Sequence, residues 1–219
     1  MLKAVFFDLD GTLTNTLEDI AEAMNRALEK NGLPGWETEE YRYLVGNGAR
    51  MLAMRAVRDR TEMADQVLRD YQYRYERHNM DRTAPYPEIP ELLAELNRRR
   101  IPLCVLSNKP DADTKRVVGH YFPEVRFAQV LGGSGRFPLK PDPAAALWMA
   151  EQLKTDPGEI AWLGDSGVDM ICACNAGMHP IGVLWGFRDR QELEESGAEH
   201  LLNRPTELLN YFPAEGSAG

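Results

Sequence analysis

The chain has 219 residues, 43% of them hydrophobic and 27% charged, and its 34 acidic against 25 basic residues leave a formal charge of −9. That balance is ordinary for a soluble globular protein long enough to bury a substantial core. The absence of a basic stripe argues against nucleic acid as a partner, and no apolar run is long enough to cross a bilayer. Met1-Leu2-Lys3 leads directly into an apolar run with no signal-peptide pattern, and the three cysteines are an odd, small number. The expectation is a cytoplasmic protein without a disulfide framework.

The first element is Ala4-Val5-Phe6-Phe7, short and rich in β-branched and aromatic residues, which reads as a fully buried strand. Asp8-Leu9-Asp10-Gly11-Thr12 follows. A strand period of two would aim both carboxylates the same way, and Gly11 permits a sharp turn after them. Alone, the pattern fits an Asx turn capping the next helix as well as it fits a site. Thr16 to Lys30 carries Ile20, Met24, Ala27 and Leu28 at helical spacing, with Asn15 or Thr16 as N-cap and Gly32 just past the end. More helix follows instead of a second strand: a short segment from Thr38, one opened by Gly46-Asn47-Gly48, and a long one from Thr61 through Val67, Tyr71 and Tyr75. A helical block over 15–82, with no convincing strand, predicts an inserted cap domain between core segments 1–14 and 83–219.

Beyond Pro85-Tyr86-Pro87 the pattern alternates. Helix 88–99 leads to strand 101–106, which ends in Ser107-Asn108-Lys109. Helix 112–121 and strand 127–131 come next. Asp142-Pro143 starts a helix that runs to Leu153, and strand 159–163 ends in Gly164-Asp165-Ser166. Helix 167–176 is closed by Gly177, strand 181–184 follows, and a last helix covers 206–211. Strands alternating with helices predict right-handed crossovers and an α/β, Rossmann-like parallel sheet with helices on both faces. Cys172 and Cys174 fall two apart on a helix, where they cannot share a face, and read as small buried hydrophobes rather than metal ligands.

Parallel sheets place their sites at the carboxyl ends of the strands. Asp8, Asp10, Ser107, Asn108 and Asp165 all stand immediately after apolar strand runs, Asp169 lies one helical turn past Asp165, and Lys140 ends a loop before a helix. Each has a dull reading as a turn, cap or solvated charge. Their joint placement on one rim makes coincidence a poor account. A cluster of aspartates is a hard-oxygen site suited to Mg2+. With a lysine and a hydroxyl it supplies the parts of phosphoryl transfer: charge neutralisation, a carboxylate nucleophile and a second carboxylate to manage protons.

These stretches, Asp8-Leu9-Asp10-Gly11-Thr12, Ser107-Asn108-Lys109, Lys140-Pro141-Asp142-Pro143 and Gly164-Asp165-Ser166 with Asp169, resemble in order and spacing the four signature motifs of the haloacid-dehalogenase-like phosphatases. Leu44 through Ala49 with Arg55, Thr83 through Pro87 and Gly182 through Gly186 are similar to the phosphoglycolate phosphatases within that superfamily. The resemblance implies Asp8 as nucleophile and metal ligand, and Asp10 as general acid/base with its carbonyl on the metal. It implies Ser107, the Asn108 amide and Lys140 around the phosphate, Asp165 completing a Mg2+ site, and Asp169 acting through water or from behind. It further implies a mobile cap that closes over a small phosphorylated metabolite. Asn47, Gly48 and Arg55 are the cap residues expected to meet the substrate, in a monomer or homodimer. Two positions depart from the pattern: Asn15-Thr16 where many relatives have Asp-Ser or Asp-Thr, and Glu88 where a glycine is usual.

Other readings carry different expectations. A phosphomutase would use the same core but keep the phosphoryl enzyme from water. A dehalogenase uses one aspartate and no metal, against which Asp10 argues. A silent binding protein would be free to lose some of these residues. A dinucleotide site fails on placement, since the first strand is not followed by G-x-G-x-x-G.

Overall fold

The computed structural model describes residues 1–213. The chain begins with β1 (Ala4–Phe7) and the two-residue β2 (Thr14–Asn15). Four helices follow, α1 (Leu17–Lys30), α2 (Tyr41–Leu44), α3 (Gly48–Ala56) and α4 (Ala64–His78), and β3 (Ala84–Pro85) then leads back. The remainder alternates: α5 (Ile89–Arg98), β4 (Leu103–Pro110), α6 (Asp111–Tyr121), β5 (Phe127–Gly133), α7 (Ala144–Leu153) and β6 (Ile160–Gly164). Then come α8 (Gly167–Ala176), β7 (His179–Val183), α9 (Arg190–Glu195) and β8 (His200–Leu202). The expected last helix forms as a 3-10 helix over Pro205–Tyr211, anchored by Leu208 and Phe212 in the core.

Six strands make one parallel sheet in the order β5-β4-β1-β6-β7-β8, so β1 lies near its centre, flanked by β4 and β6. Alternation along the strands sorts side chains to two faces. Val5, Phe7, Val105 and Leu163 pack with Leu92, Leu93 and Leu96 of α5 and Val117 of α6. Phe6, Cys104, Leu106 and Trp162 pack with Met149 of α7 and Cys172 of α8 on the other. Each of the fully buried leucines contributes roughly 1.5–3 kcal/mol through removal from water. Cys174, expected to be buried like Cys172, is exposed. A step of two residues turns it about 200° around the helix, away from the sheet.

A third hydrophobic cluster gathers Ile20, Met24 and Leu28 of α1, Tyr41 of α2, Leu52 of α3 and Val67, Tyr71 and Tyr75 of α4. One residue from elsewhere in the chain joins it, Phe187, beyond β7. The helical block is entered and left through an antiparallel pair, with Thr14 opposite Pro85 and Asn15 opposite Ala84. Asp19, near the start of α1, is buried and fastens the exit linker: its carboxylate accepts from the amides of Arg82 and Thr83 and from the Thr83 hydroxyl.

One irregularity in the sheet matters for the site. Leu106 pairs with Leu131 and Pro110 with Gly133, so four steps along β4 (106 to 110) oppose two along β5 (131 to 133). The excess forms a bulge at Ser107-Asn108-Lys109. Bulges bend a strand and re-aim its side chains, and here all three residues line the cavity described next.

Candidate active site

Asp8 is the first residue past β1. Its amide donates to the Leu163 carbonyl at 2.9 Å, holding it against β6. Its Oδ1 accepts from the Leu9 amide at 2.7 Å and from Lys140 Nζ at 2.8 Å. Among the described residues Oδ2 takes no hydrogen bond, so that oxygen is the one available to a reagent or cation. Lys140 also donates to Asp169 Oδ1 at 2.7 Å, and thus stands between the two carboxylates.

Asp169 is placed by its helix. Ser166 is the N-cap of α8 and the two form a capping box, with the Ser166 hydroxyl donating to Asp169 Oδ2 at 2.7 Å. Both Asp169 oxygens are therefore engaged, on Lys140 and on Ser166. Asp165 follows β6. Its Oδ2 accepts from the Phe187 amide at 2.8 Å and its Oδ1 from the Thr12 hydroxyl at 3.3 Å. Glycines make room for it. A Cβ on Gly11 would lie 2.1 Å from Asp165 Oδ2, and one on Gly186 would lie 2.2 Å from Asp165 Cβ.

Burial dominates the electrostatics of this cluster. It pushes the Asp8 carboxyl up to about 7, against the pull of Lys140 and aided by Asp169. It raises Asp165 well above the ordinary carboxylate range, with the charges of Asp169 and Asp8 adding to the effect. Burial works against the Lys140 ammonium too, but Asp169 and Asp8 together outweigh it and hold that group above its ordinary value. Oxygens of Asp8, Asp165 and Asp169 come within 4.8 Å of one another. One lysine cannot neutralise three buried carboxylates. This set of hard oxygen donors, short of positive charge, fits a divalent cation.

Asp10 diverges from Asp8. The strand ends at Phe7, so the period of two does not carry on, and the Asp10 carboxylate is held by a different lysine. Lys109 Nζ donates to its Oδ1 at 2.7 Å and its Oδ2 at 2.9 Å, and also to the Tyr75 hydroxyl at 2.7 Å. Asn108 ties three segments together through its side chain: Oδ1 accepts from the Lys140 amide at 2.8 Å, while Nδ2 donates to the carbonyls of Lys140 and of Gly46, each at 3.0 Å. The Ser107 hydroxyl accepts from the Lys109 amide at 3.2 Å.

Between the carboxyl ends of the central strands and the helical block lies a cavity of about 270 Å3, with Asp8, Asp10, Ser107, Asn108 and Asp165 on one wall and Gly48, Leu52, Tyr71 and Tyr75 on the other. The site residues read from the four sequence motifs thus come together. Those read from the helical block do not all do so. Gly48 lines the cavity, but Arg55 donates to Asn47 Oδ1 at 2.7 Å and to the Leu44 carbonyl at 2.9 Å, and neither Arg55 nor Asn47 is on the wall. Arg50 is exposed and pairs with Asp65 at 3.4 Å. Lys109, Tyr75 and Phe187 also line the cavity, although no motif assigns them a role. Lys109 stood in plain view beside Ser107-Asn108. Tyr75 looked like one more residue of an apolar stripe.

Residues 5–183 match the family profile described as haloacid dehalogenase-like hydrolase. The chain belongs to that family. Its relatives include proteins named phosphoglycolate phosphatase from Chromobacterium violaceum, 34% identical over 215 residues, which span 95% of this chain and 96% of the relative. One from Psychrobacter arcticus is 31% identical, spanning 97% and 93%. Among solved structures, a candidate phosphoglycolate phosphatase from Lactobacillus delbrueckii subsp. bulgaricus superposes with a TM-score of 0.90 at 27% identity, covering 97% of this chain and 99% of that one. Another from Haemophilus somnus gives 0.90 at 26%, covering 97% and 98%. The α/β parallel-sheet architecture expected from the sequence is that of these haloacid dehalogenase-like hydrolases.

Proposed function

We propose that this hydrolase is a Mg2+-dependent phosphomonoesterase acting on a small phosphorylated metabolite, with 2-phosphoglycolate as the preferred substrate. The observation that carries the reading is the Asp8–Lys140 pair within an aspartate cluster of which Asp8 and Asp165 face the cavity. The names of the relatives, which match nearly end to end, support the substrate. Asp8 is the nucleophile: one of its carboxylate oxygens attacks phosphorus, the P–O ester bond breaks, and the electron pair stays on the leaving oxygen. Asp10 gives that oxygen a proton. Asp10 then takes a proton from water as the water attacks the aspartyl phosphate, freeing Asp8 and inorganic phosphate. Ser107, the Asn108 amide and Lys140 hold the phosphoryl oxygens.

Asp8, Asp165 and the Asp10 carbonyl would hold Mg2+, with Asp169 steering Lys140 and Ser166 from behind. When bound, the ion supplies positive charge to the phosphoryl group and to the crowded carboxylates. Residues 15–82 serve as a cap over core segments 1–14 and 83–219, excluding water while the cavity is closed. The bacterial relatives named phosphoglycolate phosphatase accord with work in the cytoplasm.

The test is a steady-state panel of 2-phosphoglycolate, sugar phosphates and nucleotides, each with Mg2+ and with chelator. Hydrolysis lost with chelator and restored by Mg2+, with the glycolate ester among the best by kcat/KM, is the expected result. Activity indifferent to chelation removes the metal reading, and a poor rate on the glycolate ester removes the substrate.

A further inference from the structure

We propose that Lys109 and Tyr75 form a carboxylate-reading subsite, which selects phosphoesters whose leaving group carries an anion close to the ester oxygen. The inference rests on the phosphatase reading above, which places the leaving oxygen at Asp10. Lys109 Nζ lies 2.7 and 2.9 Å from the two Asp10 oxygens. A leaving oxygen within hydrogen-bond reach of Asp10 therefore brings the next one or two atoms of the substrate up to Lys109. At that distance from the phosphorus, the side chain meets whatever substituent the leaving group bears.

The pair has the chemistry of an anion site. The Lys109 side chain is only 3% exposed, so its charge acts across a low-dielectric cavity rather than through water. Its third hydrogen goes to the Tyr75 hydroxyl at 2.7 Å. That hydroxyl accepts from Lys109, and among the described residues nothing accepts its own hydrogen. Tyr75 is buried and lines the cavity, so this unmatched donor waits beside a buried ammonium. A carboxylate arriving there would take the Tyr75 hydrogen directly and sit in the field of the Lys109 ammonium, whose three hydrogens already go to Asp10 and Tyr75. An apolar substituent would take no hydrogen bond there, and an uncharged hydroxyl would accept one without the attraction of the ammonium. The other two cations on the cavity wall are committed elsewhere: Arg116 donates to Asp113 at 2.6 Å, and Arg188 is held by Glu192 at 3.1 Å and by the Val45 carbonyl at 3.0 Å.

The two halves of the subsite come from different parts of the chain, Lys109 from the bulge of β4 and Tyr75 from α4. Substrate discrimination is thus complete only with the helical block seated. This is a reading of specificity, and it leaves the roles of Asp8 and Asp10 unchanged.

The test compares 2-phosphoglycolate with 2-hydroxyethyl phosphate, an alkyl ester of the same length without the carboxylate, in the wild type, Tyr75→Phe and Lys109→Met. Because Lys109 also contacts Asp10, the readout is the ratio of kcat/KM for the two esters, from which a general loss of proton transfer cancels. The ratio should favour the carboxylate in the wild type. It should fall about fivefold in Tyr75→Phe, as for the difference between a hydrogen bond to a carboxylate and one to a hydroxyl, and about a hundredfold in Lys109→Met, as for loss of the buried charge facing the carboxylate, with the loss in KM for the glycolate ester. Tyr75→Phe is isosteric and keeps the helix packing, so it decides the question even where Lys109→Met fails to fold. A ratio unmoved in Tyr75→Phe, or a wild type that hydrolyses both esters equally well, overturns the subsite. A wild type that hydrolyses neither overturns the phosphatase reading instead.

Discussion

The Phe187 amide donates to Asp165 Oδ2 at 2.8 Å, while the Phe187 ring is buried in the hydrophobic cluster of the helical block. One residue therefore fixes an aspartate of the proposed cation site through its backbone and grips the opposite wall of the cavity through its side chain. Neighbours reinforce the grip. Arg188 donates to the Val45 carbonyl at 3.0 Å and Arg42 to the Gly186 carbonyl at 2.9 Å, while Trp185 ties the same segment to the core by donating to the Thr12 carbonyl at 3.0 Å. Phe187→Ala should cost roughly 3 kcal/mol of stability, as large-to-small changes in a packed cluster do. It should also raise KM severalfold with a smaller change in kcat. Urea unfolding and steady-state kinetics check both, and an unchanged KM would separate the ring from closure of the site.

Cation binding should depend on pH in a direction set by Asp8. Burial raises this carboxyl from 3.8 to about 7. Its contribution to the stability of the metal-free protein is therefore full below about pH 4 and is lost as pH rises through about 7, since unfolding lets the group ionise freely. Mg2+ binds the ionised form and should reverse that loss. The increase in Tm produced by Mg2+ should be larger at about pH 8 than at about pH 6. Thermal unfolding at the two pH values, with and without the ion, measures it, and equal shifts would count against Asp8 as a ligand.

Asp19 makes a prediction about the linker rather than the chemistry. Its buried carboxylate accepts from the amides of Arg82 and Thr83 and from the Thr83 hydroxyl, at 2.7 to 3.1 Å. Asp19→Ala leaves these donors unmatched and should destabilise by about 3 kcal/mol or more, while Asp19→Asn, which keeps an acceptor, should cost less. Chemical denaturation of the two variants gives the order, and equal losses would mean that packing rather than bonding matters there.

Glu88 stands where the resemblance noted in the sequence implies a glycine, and its backbone would suit one. With φ at 67° it is left-handed, a region that disfavours residues with a Cβ. The side chain offsets this by accepting from Arg204 at 2.7 Å and from the Thr206 hydroxyl at 2.6 Å. Glu88→Ala loses those bonds and keeps the strain, whereas Glu88→Gly loses the bonds and relieves it. The Tm of Glu88→Gly should exceed that of Glu88→Ala, and the reverse order would refute the account.

The sequence made Asp8, Asp165, Ser107 and Lys140 visible because each follows an apolar strand run or precedes a helix start, and the rim of a parallel sheet gathers such positions. It did not reveal Lys109 with Tyr75, Phe187 with Asp165, or Asp19 with Thr83. Those contacts join residues 22 to 64 positions apart; Lys109 with Tyr75 and Asp19 with Thr83 depend on how the helical block lies against the sheet, and Phe187 with Asp165 on how the segment after β7 folds back over the end of β6. Periodicity describes one element at a time and carries no trace of that arrangement. Arg55 illustrates the opposite error. A cation near a glycine-rich helix start looks ready for a substrate, yet it is consumed by Asn47 and by the carbonyls at the end of α2, a local need that composition does not register.

The short ladder of Thr14 with Pro85 and Asn15 with Ala84 has a consequence for how this chain can vary. It brings the two ends of the helical insertion side by side, so the central strands of the sheet, β1, β4 and β6, pair without regard to what lies between those ends. The entropy of closing a loop grows only slowly with its length. A shorter, longer or wholly different insertion can be grafted at this ladder while the aspartates keep their register. Selectivity and chemistry can then diverge along separate mutational paths within a single polypeptide.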